Sequence, residues 1–220
     1  MPAPATMRMT TKTTPTTKTA RELLGVPDAP RQGRDRLIAT AIELIYMRGF
    51  NAVGMDQVIA AAGVTKTTFY KHFQSKDDLM VAAVRRRDEW EMQAWDRAVR
   101  KAVGDDPRAR LLGLFNVLHD WFNAPDFQGC MFLNTAIEFP NPNDPVHEAA
   151  AEYKRRLRDG WRDVATQAGA RDADAEAFAD VYATVVEGTL VMRQVHGRND
   201  AALISRTLAS ALIDQYIPRR

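Results

Sequence analysis

Residues 53–79 read VGMDQVIAAAGVTKTTFYKHFQSKDDL, and this stretch decides the fold. Met55, Val58, Ile59 and Ala62 recur at helical spacing and give a short helix one apolar face. Gly63 stands where a residue of positive φ is needed to end that helix. Val64 can pack back into the angle, and Thr65 is a good N-cap for a second helix. Two crossed helices joined by a three- or four-residue turn containing glycine make a helix-turn-helix. The second helix can hardly extend beyond Lys66 to His72. Phe69 and Phe73, four apart, anchor its inner side and leave Thr67, Thr68, Tyr70, Lys71 and His72 on the outer faces. A short helix with that aromatic and basic surface fits the major groove of DNA. Lys66 suits guanine O6 and N7, and the Thr67 and Thr68 methyls suit a thymine methyl. Tyr70 and His72 suit phosphate, and Thr65, Lys71 and Lys76 complete the expected DNA-binding set.

Working outward, Ser75 and Asp78 have capping-box spacing, and Asp77 and Asp78 suit the positive end of a helix dipole. A long helix therefore starts near Lys76, and a lysine at a helix N-terminus is a ready phosphate site. Upstream, Leu37, Ile38, Ala41, Ile42 and Ile45 form an apolar stripe. Gly49 ends that helix and Phe50 folds back.

Over Arg34 to Leu79 the chain resembles the TetR family of transcriptional repressors. The resemblance is carried by AAGVTKTTFYKHFQSKDDL and by the preceding helix GRDRLIATAIELIYMRGF. It implies an all-α homodimer whose three N-terminal helices bind DNA, while six or so C-terminal helices bind a small molecule and dimerise. There are departures. The first turn of the second helix is often threonine-rich in the family and here is Val53-Gly54-Met55, so a backbone N–H would have to replace a hydroxyl at phosphate. The position after Lys66, commonly glycine, is Thr67.

Composition agrees with a DNA-binding end. The 220 residues carry a net charge of only +2. Between Arg31 and Lys76, however, basic residues outnumber acidic ones by four, whereas the remainder beyond Lys76 is acidic by the same margin. Residues 1–30, rich in Thr, Pro and Lys, read as a disordered tail. Its Arg8, Lys12, Lys18 and Arg21 are placed to brush phosphate, though a solvated tail is the simpler reading. Residues 31–76 read as the helix-turn-helix domain, and residues 77–220 as the ligand-binding and dimerisation domain. One cysteine suits a reducing cytoplasm, and no apolar run approaches the length of a spanning helix.

Helices are expected from Lys76 towards Val103, after Asp106-Pro107, around Met131 to Phe139, after Asp144-Pro145, from Asp174 to His196 and from Asp200 to Tyr216. The last two have more apolar surface than one side can bury, and Gly188 sits mid-helix at a cost of roughly 1 kcal/mol relative to Ala. A two-fold four-helix interface using Val181, Gly188, Leu208 and Leu212 accounts for both features. The family resemblance implies an effector pocket in the aromatic middle of the chain. Candidate lining residues are Trp121, Phe122, Phe132, Thr135, Tyr153, Trp161 and Tyr182, with Asn134, Glu138 and Glu187 as further polar groups.

Cys130 begins a helix, a position that lowers a thiol's pKa, so a thiol sensor of electrophiles or oxidants is the alternative mechanism. His72, His119, His147 and His196 are scattered, and no metal-ligand spacing or cofactor glycine fingerprint occurs, so no metal or cofactor is expected. No GxSxG, P-loop or His-Glu metal motif points to an enzyme. The expected partners are an operator duplex, a small-molecule effector and a second copy of the chain.

Overall fold

The computed structural model describes residue 30 and residues 32–218. The tail expected over residues 1–30 therefore lies outside the described residues, except for Pro30. Among the described residues there are α-helices and no strands. They are α1 Gly33–Arg48, α2 Met55–Ala61, α3 Lys66–His72, α4 Lys76–Val103, α5 Pro107–Phe122, α6 Met131–Glu138, α7 Pro145–Gln167, α8 Asp172–His196 and α9 Ala201–Tyr216. No helix among them is long and apolar enough to cross a membrane.

Local chemistry sets the boundaries. The Thr65 side chain accepts from Thr68 N–H at 3.1 Å, Ser75 from Asp78 N–H at 3.1 Å, and Asp106 from Ala109 N–H at 2.7 Å. Asp78 completes a reciprocal cap, but it reaches back to Gln74 N–H rather than to that of Ser75. Pro107 and Pro145 occupy first-turn positions, where no N–H is missed. The α2–α3 turn needs Gly63 at φ +62, a backbone state that a side chain rarely tolerates.

The head is α1 to α3, with α1 touching both α2 and α3. Leu37, Ile38, Ala41 and Ile45 of α1 meet Val58, Ile59, Phe69 and Phe73 in its core. The first turns of α4 close that core with Leu79, Met80, Ala83 and Val84, so α4 belongs to both halves. A helix of 28 residues spans about 42 Å, and its far end packs against α5 and α7. In the body, α7 also holds α6 and α8, and α9 lies against α5 and α8.

Candidate nucleic-acid interface and regulatory core

The recognition helix α3 is held from beneath by Phe69 and Phe73, whose rings are 5.7 Å apart. Both rings are buried, and this fixes what faces out. Lys66, Thr67, Tyr70, Lys71 and His72 are exposed. Tyr70 is 57% exposed and braces its ring edge-on against Phe69. Lys66 Nζ lies 3.0 Å from Asp56 on α2, so in the free protein this lysine is parked on an exposed carboxylate. The Thr65 and Thr68 hydroxyls are 3.0 Å apart. Thr68 is only half-exposed, and its methyl lies 3.2 Å from where a Cβ on Gly33 would stand. Its methyl therefore faces α1, which leaves less of it for base readout than the sequence suggests.

Two expected phosphate donors are already engaged. Lys76 Nζ donates to the Phe50 carbonyl at 2.8 Å, tying the start of α4 to the α1–α2 turn. Gly54 N–H donates to Gln57 Oε1 at 3.0 Å.

The body also reaches that turn. The Glu138 carboxylate, at the end of α6, accepts Phe50 N–H at 3.0 Å and Asn51 N–H at 2.8 Å. The Phe139 ring stands edge-on to Phe50 at 5.3 Å. Gly49 is required here twice over. Its φ is +81, and a Cβ would sit 2.8 Å from Glu138 Oε1. The turn is thus gripped by its N–H groups from α6 and by a carbonyl from α4. The sequence suggests ligand orientation for Glu138, whereas its carboxylate joins body to head.

The second link from body to head is Tyr46. Its hydroxyl accepts Gln128 N–H at 3.2 Å from the α5–α6 connection, and its ring faces the Arg87 guanidinium. Arg87 pairs with Glu91 one turn along α4, and both are buried. Burial works against the Arg87 charge, but Glu91 more than restores it and the net shift is upward. Glu91 also accepts from Trp95 Nε1 at 3.1 Å and from the Tyr153 hydroxyl at 3.4 Å. None of Tyr46, Arg87, Glu91 and Trp95 is picked out by the sequence reading. One signal was available: Met80, Val84, Arg87, Glu91 and Ala94 continue a single stripe at three- and four-residue spacing, so the ion pair falls on the apolar face of α4.

The seven expected pocket residues fall into two groups. Trp121 and Phe122 pack with Trp95 and Phe127. The Phe132 and Tyr153 rings stack at 3.5 Å, and Glu91 joins this pair to Trp95. Trp161 and Tyr182 instead belong to a second cluster with Phe115 and Phe178. The buried Tyr182 hydroxyl donates to the Leu111 carbonyl at 2.5 Å, and Thr135 donates to Met131 in its own helix at 2.7 Å. Those two polar groups are satisfied without a ligand. Asn134 accepts from Gln194 and Glu187 from Lys154.

Cys130 does precede α6, but it is buried, and burial pushes its thiol up despite Lys154 nearby. This corrects the expectation from the helix terminus alone, because desolvation of the thiolate outweighs the dipole.

On the far side of the body, α8 and α9 expose Val181, Val191, Met192, Val195, Leu203, Ile204 and Leu208. Gly188 lies among them with nothing within 4 Å of a would-be Cβ. Leu212 does not join this strip. It is 8% exposed and belongs to the protomer's own core.

Comparison with known proteins gives a consistent result. The family model for bacterial regulatory proteins of the tetR family matches residues 37–83. A model of the tetracyclin repressor-like C-terminal domain matches residues 107–208. The chain is 26% identical to the transcriptional regulator AcuR of Cereibacter sphaeroides over 192 residues, covering 80% of this chain and 87% of AcuR. Among solved structures, a TetR-family regulator from Streptomyces coelicolor superposes with a TM-score of 0.72 at 26% identity, over 84% of this chain and 95% of that one. A TetR-type regulator from Streptomyces avermitilis gives 0.70 at 30% identity, over 84% and 98%.

Proposed function

Because the chain belongs to the TetR family of bacterial transcriptional regulators, we propose that it is a repressor that binds a pseudo-palindromic operator as a homodimer and is released by a small apolar or aromatic effector. The observation that carries this reading is the outer surface of α3. Lys66, Thr67, Tyr70, Lys71 and His72 stand exposed on a rigid seven-residue helix. Lys66 leaves Asp56 to reach a base edge, while Tyr70, Lys71 and His72 meet phosphate. Lys76 acts mainly by holding the α1–α2 turn, with its remaining N–H groups facing phosphate.

The exposed strip on α8 and α9 supports pairing of two protomers. A contiguous apolar face on adjacent helices is covered by its own copy in a two-fold four-helix seam. Two recognition helices then address half-sites whose centres lie about 34–36 Å apart or somewhat more. The effector acts in the body around Trp121 and Tyr153. Its signal reaches the head through the Glu138 grip on Phe50 and Asn51 and through Tyr46, whose hydroxyl takes Gln128 N–H. Ligand and operator weaken each other to the same degree. The thiol alternative loses ground because the Cys130 thiol is buried and shifted towards its protonated form.

The test is fluorescence anisotropy with a duplex from the chain's own upstream region, titrated at several salt concentrations. A log–log salt slope of several units and a preference over random duplex are expected. Lys66→Ala should relax that preference at one or two positions, by about 1–3 kcal/mol each. Equal affinity for random duplex at all salts would refute the reading.

A further inference from the structure

Resting on the reading of α3 as the operator-reading helix, we propose that Asp56 is an intramolecular competitor of DNA: its carboxylate holds the Lys66 ammonium in the free protein and so limits operator affinity. Lys66 is the first residue of α3, and Asp56 lies in the first turn of α2. Their charged atoms are 3.0 Å apart, and the two side chains are 65% and 71% exposed. Both are therefore open to a duplex without any change in the core of the head. The hydrogen bond to Asp56 favours the ammonium form of Lys66 and moves its pKa upward. The start of α2 offers phosphate little in return. Its Gly54 N–H is taken by Gln57, and the Asp56 carboxylate repels a polyanion.

The competition follows from counting partners. In the free protein the ammonium rests on the carboxylate. On a site that presents guanine O6 and N7, Lys66 moves to the base, so the complex gains that contact and loses the ion pair. On a duplex without such a base, the pair stays closed or opens only for a phosphate contact at least as good. The pair therefore subtracts most from the tightest complex. It acts as a brake on operator binding and not as a source of discrimination. One exposed pair is weak, but a dimer must break two. An effector that changes affinity by roughly 5–150-fold empties an operator only where the unliganded affinity is moderate. A brake of about three- to tenfold falls within that range.

An acid in the first turn of α2 also suits the positive end of that helix's dipole. That role does not involve Lys66, so a double-mutant cycle separates the two. Asp56→Asn, Lys66→Ala and the double variant, each checked for an intact fold by circular dichroism, are titrated by anisotropy against a duplex from the chain's own upstream region. Asp56→Asn should tighten binding about three- to tenfold, and the gain should shrink as salt screens the pair. In the Lys66→Ala background the same change should gain less than about twofold, since no pair remains to be broken. Asp56→Glu keeps the charge and should stay near native affinity. Unchanged or weaker binding by Asp56→Asn would overturn the proposal. So would an equal gain with and without Lys66, which would leave only repulsion between Asp56 and phosphate. A native chain without preference for that duplex over a random one would refute the operator reading itself. An intact preference beside any of those results would refute the brake alone.

Discussion

The head and the body treat charge in opposite ways. In the head, rings and aliphatic side chains fill the core, while Lys66, Lys71 and His72 stand in solvent around a helix of only seven residues. In the body, Arg87, Asp88 and Glu91 are carried inside on a long helix, and tryptophan and tyrosine donors converge on the buried carboxylate of Glu91. Surface cations cost almost nothing to maintain and suit a large, hydrated polyanion. Buried ions are expensive to maintain and are weak evidence of stability; in the function proposed above, their retention serves recognition of something small inside. In that reading the two regions differ in what they meet, and hydrogen bonds join them at the Phe50–Asn51 turn, at Tyr46 and between Asp35 and Arg86.

The sharpest way to break this contrast is to remove the carboxylate at its centre. Glu91→Ala leaves Arg87 buried without its partner and takes the acceptor from Trp95 and Tyr153. A loss of about 3–5 kcal/mol is expected, measured by urea unfolding. The double variant Arg87→Met with Glu91→Leu should recover most of that loss, because it removes the stranded charge and keeps the volume. A single-variant loss below about 1 kcal/mol would mean that water reaches the pair, and the contrast between the regions would fall.

The same contrast explains what could be read from the chain alone. Thr65, Phe69, Phe73, Ser75 and Asp78 act within one or two helical turns, so spacing alone places the recognition helix and its caps. The body's polar cluster is assembled from Tyr46, Glu91, Trp121 and Tyr153, which tertiary packing brings together and no local pattern links. Arg87 and Glu91 are harder still, because an Arg and a Glu four apart resemble an ordinary solvated helix pair. Only their position on the stripe through Met80, Val84 and Ala94 betrays them. Leu212 shows the converse error. It has the helical spacing of an interface residue and shares Leu208's face, but one turn further along α9 that face is covered by the protomer itself: Leu208 is 53% exposed and Leu212 8%.

That offset can be tested directly. Leu208 is 53% exposed in the protomer, so Leu208→Glu should leave the fold of one chain intact by circular dichroism. If the open face is the seam, a buried unpaired charge there should weaken dimerisation by about 2–5 kcal/mol and give monomers in light scattering. Leu212→Glu should instead unfold the protomer, since it places a charge in the core. A stable dimer carrying Leu208→Glu would move the seam elsewhere.

The junction between the regions should respond more gently. Glu138→Gln keeps the size of the side chain but loses the charge that strengthens its bonds to the Phe50 and Asn51 amides. Those two amides should exchange with solvent faster, while the protein still binds operator. The change in operator affinity caused by the effector, roughly 5–150-fold for a typical allosteric ligand, should shrink towards unity. Unchanged coupling would move the route to Tyr46 or to α4, which runs through both halves.

The smallest effect is expected at Cys130, and it separates occupancy of the interior from thiol chemistry. The thiol is buried at the start of α6 beside Lys154 and Glu187, and burial raises its pKa above the usual thiol value. Only the thiolate attacks electrophiles, so at pH 8 the native chain should react with iodoacetamide far more slowly than the unfolded chain. The difference should narrow as pH rises through the shifted pKa. Cys130→Ser puts a hydroxyl where Lys154 can meet it, which limits the cost to about 1 kcal/mol. The variant should keep operator binding and the response to the effector. Rapid alkylation of the folded protein at neutral pH, with loss of DNA binding that Cys130→Ser abolishes, would make the body a covalent sensor and demote its donor-rich interior to packing.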